Sequence, residues 1–494
     1  MKKPLILILV LLSFTLSNAQ IVDIPDTNFK YALVNELVVD TNGDGEGDSV
    51  ADLNGDGEIQ VSEAEAVSFL DISFYDIVSI EGIESFTNIT SLICHHNDIV
   101  TLDLSQNLLL EFFDCFGNEI TDLDVTQNLN LTYLKCELNN LTSLNVTNNI
   151  NLEYLNCDRN ELTSLQLGNN ESLLELRCKN NQIISLDLSG LPELEIFFCS
   201  QNNISFIDVT QNSNLKIFTS SYNSIESFDV SNNYLLESFV CDNNNISTLD
   251  ISQNLNLIAF QFGANPISEI DVTNNLLLEK LIFWNSSLNS IDVSQNINLK
   301  SLAAQDNFLS SIDVSQNINL EELLCSENNL SSLDISANGN LEELWCQNNQ
   351  LLNLNISNGN NEELVWFDAS DNPNLFCIEV DNIDYANNTY CGTYGVVWCK
   401  DESAVYSEDC ILGIDDVIDK QIILYPNPVQ NVLEIDNSSS NNIRIFGIYD
   451  ILGNLVFQKL NPNNQLDVSR LASGLFFVKV ETDKGVFTKK IIKE

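Results

Sequence analysis

The stretch Asn151–Leu165, NLEYLNCDRNELTSL, decides how this chain folds. Its Leu152, Leu155, Cys157, Asn160, Leu162 and Leu165, with Leu167 just beyond, recur as Leu173, Leu176, Cys178, Asn181, Ile183, Leu186 and Leu188. Cysteines stand at 94, 115, 136, 157, 178, 199, 241, 325 and 346, and every interval is 21 or a multiple of 21. The pattern is L-x-x-L-x-C-x-x-N-x-I/L-x-x-L-D-V-S-x-N, with about 13 regular copies from Ile89 to Ser357. A divergent copy lies near Leu70–Phe86, and a last one at Leu364–Asn372 arrives two residues late. One such unit cannot bury its own apolar side, so the copies must stack into a solenoid. The short L-x-C segment reads as a strand, and the asparagine after it turns the chain, its amide free to bond backbone inside the coil. Strands stacked at about 4.8 Å build one long parallel sheet.

The cysteine position answers its own question. Other copies carry Ser220, Phe262, Phe283, Ala304 or Ala369 there. Neither a disulfide nor a metal site tolerates Phe or Ala, whereas a buried core slot does. The periodic cysteines are therefore expected to be reduced core filler. Cys377, Cys391, Cys399 and Cys410 fall off the period, just after the last copy, where a solenoid needs a cap. Four cysteines allow three pairings.

These repeats resemble the leucine-rich repeat family, in a short form common in secreted bacterial proteins, over residues 67–375. The resemblance implies a mainly β horseshoe solenoid whose parallel sheet lines the concave side. It also implies a disulfide cap at 376–410, Cys377 with Cys410 outside and Cys391 with Cys399 nested within.

The ends differ from the repeats. Residues 1–19, MKKPLILILVLLSFTLSNA, have a charged start, a short apolar core and a small-residue cleavage site, the pattern of an export signal peptide. No segment is long enough for a confident transmembrane helix. Asp52–Glu63, DLNGDGEIQVSE, fits the calcium-loop pattern D-x-[DN]-x-[DN]-G-x5-E and resembles an EF-hand loop. Asp52, Asn54, Asp56, the Glu58 carbonyl, Gln60 and Glu63 would be its ligands, and Gly57 its sharp turn. Asp40–Ala51 repeats the first half, with Ala51 in place of the closing Glu and Asp48 as the substitute. Phe29, Ala32, Leu33 and Leu37 predict an amphipathic helix before the loop. Residues 20–66 thus read as an N-terminal cap stapled by a structural Ca2+.

After a linker at 411–421, residues 422–494 alternate in strands, NVLEID, IRIFGIYD, NLVFQKL, LFFVKVET and VFTKKIIK, which predict a small β-sandwich. LYPNPV, YDILGNLV, LDVSRLASGLFFVKV and TKKIIKE follow in order. This tail resembles the C-terminal sorting domain of the type IX secretion system of Bacteroidota. That resemblance implies recognition by the secretion machinery and delivery outside the cell or to its outer surface.

Function is read mostly by exclusion. Twenty Lys+Arg stand against 71 Asp+Glu, a formal charge of −51, which disfavours nucleic acid and anionic lipid as partners. No GxSxG, HExxH or Walker loop occurs, and the carboxylates are set by the repeat, so no enzyme is expected. His95 and His96 are strand neighbours expected to point to opposite faces. The ladder Asp103, Asp124, Asp187, Asp208, Asp229, Asp250, Asp271, Asp292, Asp313 and Asp334 is expected to bond turn backbone. The outward positions beside each strand carry Phe112, Phe116, Tyr133, Tyr154, Ile196, Phe198, Ile217, Tyr222, Val240, Ile282, Trp284, Leu324, Trp345 and Trp366. Lys135, Arg159, Arg177 and Lys179, four of the seven basic residues between Tyr31 and Cys399, gather in three successive repeats. Aromatics with a few cations on an outward row mark a recognition face. The expected function is a secreted or cell-surface protein that binds an extracellular protein or glycan on its concave face. The rivals are a calcium-assembled structural protein of the cell envelope or matrix and a carbohydrate-active enzyme.

Overall fold

The computed structural model describes residues 20–392, 397–410, 423–436, 443–450, 454–460, 465–482 and 486–494. The expected signal peptide at 1–19 and linker at 411–421 lie outside them. The chain divides into two units between Glu408 and Asp409, one residue pair short of the expected cap boundary at Cys410.

In the first unit each repeat contributes one three-residue strand whose middle residue points inward. Leu134, Leu155, Leu176, Phe197 and Phe218 are such residues, all fully buried. Sixteen strands form one sheet, from Phe69–Asp71 to Val397–Lys400, and successive members pair in parallel. The opposite side of the coil is mostly turns, with short sheets at Ser143–Asn145 and Ser164–Gln166, and at Ser332–Asp334 through Val405–Ser407. All nine periodic cysteines are free and fully buried, and Ser220, Phe262, Phe283, Ala304 and Ala369 fill the same slot, also fully buried. Burial pushes the thiols of this column upward, as at Cys325, raised to about 12.

Just before each asparagine of the pattern the chain takes a left-handed residue: Leu138, Arg159, Asn180, Gln201 and Tyr222 have φ of 53, 53, 54, 59 and 57°. That conformation costs a non-glycine residue about 1 kcal/mol. The asparagine behind it offsets the cost. Asn160 Nδ2 donates to the carbonyls of Cys136 (3.0 Å) and Cys157 (3.2 Å), and its Oδ1 accepts the Leu141 amide (3.0 Å). The amide thereby ties one turn of the coil to the turn before it. Asn118, Asn139, Asn181, Asn202 and Asn244 do the same. A second ladder on the far side, typified by Asn149, donates to Val125 and Asn128 carbonyls, both at 2.9 Å.

The ends are sealed by carboxylates. At the N-terminal end the helix Thr27–Asn35 buries Phe29, Ala32 and Leu33, as expected. Leu37 does not join that face. The helix stops at Asn35, Glu36 is extended, and the following Val38 and Val39 are buried while Leu37 is exposed. Asp26 caps the helix through Asn28 and Phe29 N–H groups, and its other oxygen accepts the amides of Val78 and Ser79 in the first repeat. Burial alone would push Asp26 up, but these four donors outweigh it and hold it below the usual carboxylate value. At the C-terminal end Asp401 accepts the Asp371 and Asn372 amides (2.9 and 2.8 Å), and Asp381 accepts those of Gly359 and Asn361. Cys391 and Cys399 form a disulfide with Cα atoms 4.6 Å apart, and Cys377 and Cys410 are each disulfide-bonded as well.

The second unit holds a three-stranded antiparallel sheet, Ile423–Tyr425, Val432–Asp436 and Gln465–Asp467, and a four-stranded one, Leu455–Leu460, Ile443–Tyr449, Gly474–Thr482 and Val486–Lys493. Val429, Leu433, Phe446, Ile448, Val478 and Ile491 are among its buried core. The strands at 423–425 and 465–467 are not among those the alternation predicts, being three residues each and too short for it to show. Asn427 of LYPNPV bonds both the Lys490 carbonyl (2.9 Å) and the Ile492 amide (2.8 Å), which fastens that motif to the last strand.

The ladder makes a contrast testable. Asn160→Ala leaves the buried Leu141 amide without its acceptor and takes one of two amide donors from each of the Cys136 and Cys157 carbonyls, and is expected to cost about 3 kcal/mol. Cys157→Ala removes one buried sulfur and is expected to cost about 1 kcal/mol. Urea denaturation of the two variants checks this, and equal losses would contradict the division of labour between frame and filler.

Candidate binding face

The side chains on either side of each inward residue point out from the sheet, so the face is a set of columns running along the solenoid. One column runs through Phe112, Tyr133, Tyr154, Glu175 and Ile196, in strict register. Phe112 and Tyr133 stack at 4.3 Å, Tyr133 and Tyr154 at 4.4 Å, both nearly parallel. Their flat faces are thus used on one another, and what they offer a partner is ring edges and hydroxyls. Burial raises the pKa of both tyrosines.

The cations sit on aromatic rings. Lys135 Nζ lies 4.5 Å from the Phe116 centroid and 3.4 Å from the Asp114 carboxylate. Arg177 and Lys179 approach the Phe198 ring at 4.7 and 4.3 Å, and Arg177 also pairs with Glu175. Arg159 is exposed on a left-handed turn and has no ion pair among the described residues. Asp158 lies among them, accepting the Lys179 amide. Burial is the main reason its carboxyl is raised, to about 6, opposed by that amide and by the Lys179 charge. The structure therefore gathers Phe112, Phe116, Tyr133, Lys135, Tyr154, Arg159, Arg177, Lys179, Ile196 and Phe198 into one area of neighbouring repeats. Trp284 lies further along, and Trp345 and Trp366, 37 and 41% exposed, are diagonal neighbours near the C-terminal end.

Two expectations need adjusting. His95 and His96 lie beyond the strand Ser91–Ile93, and His96 has φ of 51°, so strand alternation does not separate them. Their rings meet edge to face at 5.3 Å, and His96 is held between Phe74 and Phe116, each at 4.6 Å. The aromatic area thus extends to Phe74, His95 and His96, which the sequence reading left out. Phe74 and His96 both hold the left-handed position of their turns, where the repeat does not fix the residue type. The aspartate ladder behaves as expected: Asp208 and Asp271, for example, accept the amide and hydroxyl of the Thr two residues on, which lowers both carboxyls.

In the loop Asp52–Glu63, Asp52 accepts the Gly55 and Gly57 amides (2.8 Å each), with Gly57 at φ 84°, and Glu63 accepts those of Asn54 and Gln60 (3.0 Å each). The end carboxylates are buried and turned inward, and the donors are all oxygen, which suits calcium. The middle is bridged by Gln60, whose amide bonds both Asn54 and Asp56. Among the described residues no group of three or more His, Cys, Asp or Glu side chains converges as a metal shell. In the partial loop Asp48 is turned to Thr41 and Asp40 to Asn42, Gly43 and Gly45.

Comparison with known proteins agrees with this architecture. Residues 423–494 match the secretion system C-terminal sorting domain. The functional domain of InlJ from Listeria monocytogenes, described as including a cysteine ladder, is similar at 26% identity and TM-score 0.60, over 96% of this chain and 98% of that one. The leucine-rich repeat protein LIC12759 of Leptospira interrogans (22% identity, TM-score 0.51, 65% of this chain and 91% of that one) shares the fold. So does an internalin, inlF, from Listeria monocytogenes (18% identity, TM-score 0.51, 76% of this chain and 95% of that one). No curated protein matches the chain. Among the described residues no helix is long and apolar enough to cross a membrane.

Asp158 gives the face a pH signature. A carboxyl raised in the folded state weakens the fold as pH climbs from the ordinary carboxylate range through about 6. Asp158→Asn is expected to melt above the parent protein at about pH 8 and to lose that advantage below about pH 4. Thermal denaturation across pH checks it, and a difference that does not change with pH would contradict the assignment. Taken together, the chain is a β-solenoid of leucine-rich repeats followed by a type IX sorting tail, the mark of a protein exported to the cell surface or beyond it.

Proposed function

We propose that the protein is a binding protein of the cell exterior that recognises an extracellular protein or glycan through the outer face of its long sheet. The observation that carries this reading is the area around Phe116, Tyr133, Tyr154 and Phe198. Three of the chain's scarce cations are spent there on aromatic rings, in a molecule of net charge −51. Lys135 and Arg177 are balanced locally by Asp114 and Glu175, so the area is an amphipathic, nearly neutral island on an acidic surface. Such islands supply the desolvated anchors of interfaces. The experiment is retention of partners from the natural surroundings, together with a glycan array, by the full exported chain. Phe198→Ala and Tyr154→Ala are expected to weaken the retained partner about tenfold or more with unchanged melting temperature, while Leu255→Ser on the opposite side keeps it. Equal binding by all three would remove the face from consideration.

We further propose that Asp52, Asn54, Asp56, the Glu58 carbonyl, Gln60 and Glu63 bind a structural Ca2+. Support comes from the inward, buried Asp52 and Glu63 and the all-oxygen donors. Binding requires the Gln60 side chain to leave Asn54 and Asp56. The Asp40–Asp48 loop, whose carboxylates are engaged locally, would be the weaker site. Calcium is expected to raise the melting temperature of the parent protein and not that of Glu63→Gln. No heat of binding and no stabilisation would end this proposal.

A further inference from the structure

Beyond the aromatic island the outer face has a second feature, at Gly263 and Ala264. In the same two columns stand Ser221 and Tyr222, then Asp242 and Asn243, then these two, then Trp284 and Asn285. A Cβ built on Gly263 would lie 2.8 Å from Nε1 and 2.9 Å from both Cδ1 and Cε2 of Trp284. Three atoms of the pyrrole ring at nearly one distance mean that the ring lies broadside over the glycine. The indole is laid back across position 263, and any side chain there would lift it. Its other face is turned away from the backbone. On the N-terminal side stands Tyr222, 56% exposed and two repeats from Gly263, a distance of about 10 Å at the usual strand spacing. Between the two rings the floor is Asp242 and Asn243.

The floor is polar, and its carboxylate is engaged by protein donors. Asp242 accepts the Gly263 amide (2.7 Å) on one oxygen, and Ser221 Oγ lies 3.5 Å from the other. Burial raises its carboxyl. Asn243 Nδ2 is buried and makes no hydrogen bond among the described residues. An indole platform and a tyrosine ring with amide and hydroxyl groups between them fit a ring that is apolar on its faces and hydroxylated at its edge. A cationic side chain fits less well, because both Asp242 oxygens face protein donors and burial disfavours its charge. An anion is opposed by the charge of −51.

We propose that the trough between Tyr222 and Trp284 is a subsite for a neutral pyranose ring, with the indole as its platform and Gly263 as the residue that lets the indole lie flat. This rests on the reading of the sheet's outer face as the recognition face and narrows the ligand to a carbohydrate.

The test uses the full exported chain with cello-, manno- and chito-hexaose as probes and a Lys/Ser dodecapeptide as the cationic control, read by calorimetry and tryptophan fluorescence. At least one saccharide is expected to bind and shift the fluorescence. Trp284→Ala and Gly263→Val are expected to weaken it about tenfold or more, and Trp284→Phe to retain most of the affinity. Thermal melting confirms that each variant folds. Saccharide binding that is indifferent to Trp284 and Gly263 overturns the subsite. Binding of the peptide in place of the saccharides, lost in Trp284→Ala, overturns the ligand class. No saccharide binding by a protein that still retains a partner through Phe198 and Tyr154 overturns this inference and leaves the recognition face standing.

Discussion

The asparagine amide inside each turn is the interaction on which the rest depends. A coil of 21 residues has to reverse direction within a few residues of its strand, and it does so through a left-handed residue that is glycine only at 117 among the regular turns. The strain is tolerable because the very next residue closes three backbone groups at once. A donor pair on Nδ2 and an acceptor on Oδ1, spaced for consecutive turns, is available only from a planar primary amide of this length. Serine at 286, the one substitute among the regular copies, keeps a hydroxyl but makes no such bonds. The far-side ladder is less complete. Asn107, Asn128, Asn149 and their counterparts use only Nδ2, and their Oδ1 atoms are buried without a partner among the described residues. It is there that the chain tolerates Leu191 in the asparagine position. The strand-side ladder therefore carries the stacking and the far-side ladder assists it.

Ladders of this kind leave the last turn with amides that no following repeat can satisfy. The carboxylates of Asp401 and Asp381 accept them in pairs, each standing in for two missing carbonyls. Asp26 does the converse at the other end, tying the capping helix to the first repeat. Part of the chain's acidity thus belongs to its ends, and part to the Asp ladder, where each carboxylate is consumed by its own turn. Acidic residues used structurally in this way need no acidic function.

How much of this was legible in the sequence follows from what the repeat constrains. Inward positions recur every 21 residues, so the strand residues, the cysteine slot and the asparagines could be read by counting. The left-handed position could not, because it points outward and accepts Leu138, Arg159 or Tyr222 alike. The placement of Leu37 also escaped, since helical spacing alone does not reveal where a helix stops. On the outer face the columns were legible but their contacts were not. Phe112, Tyr133 and Tyr154 read as three exposed rings, yet they spend their flat faces on each other, and that depends on ring angles no pattern encodes. Nothing in the repeat pattern marks Gly263, and only the position of the Trp284 indole shows what it permits.

The same division explains why such a frame suits a protein displayed outside the cell. The backbone ladder and the two asparagine ladders hold one turn to the next through inward or backbone groups, so the outward columns vary at little energetic cost. Most did not need an aromatic: the column through Phe112 passes to Glu175, Ser238 and Lys280 without disturbing the register. Where rings, cations and a space-making glycine nevertheless coincide on neighbouring turns, stacking does not require them. Lys135 on Phe116 and Trp284 over Gly263 are arrangements that the solenoid permits and does not impose. On the recognition reading proposed above, a surface or ring outside the fold is the physical reason such placements would persist on an otherwise interchangeable scaffold.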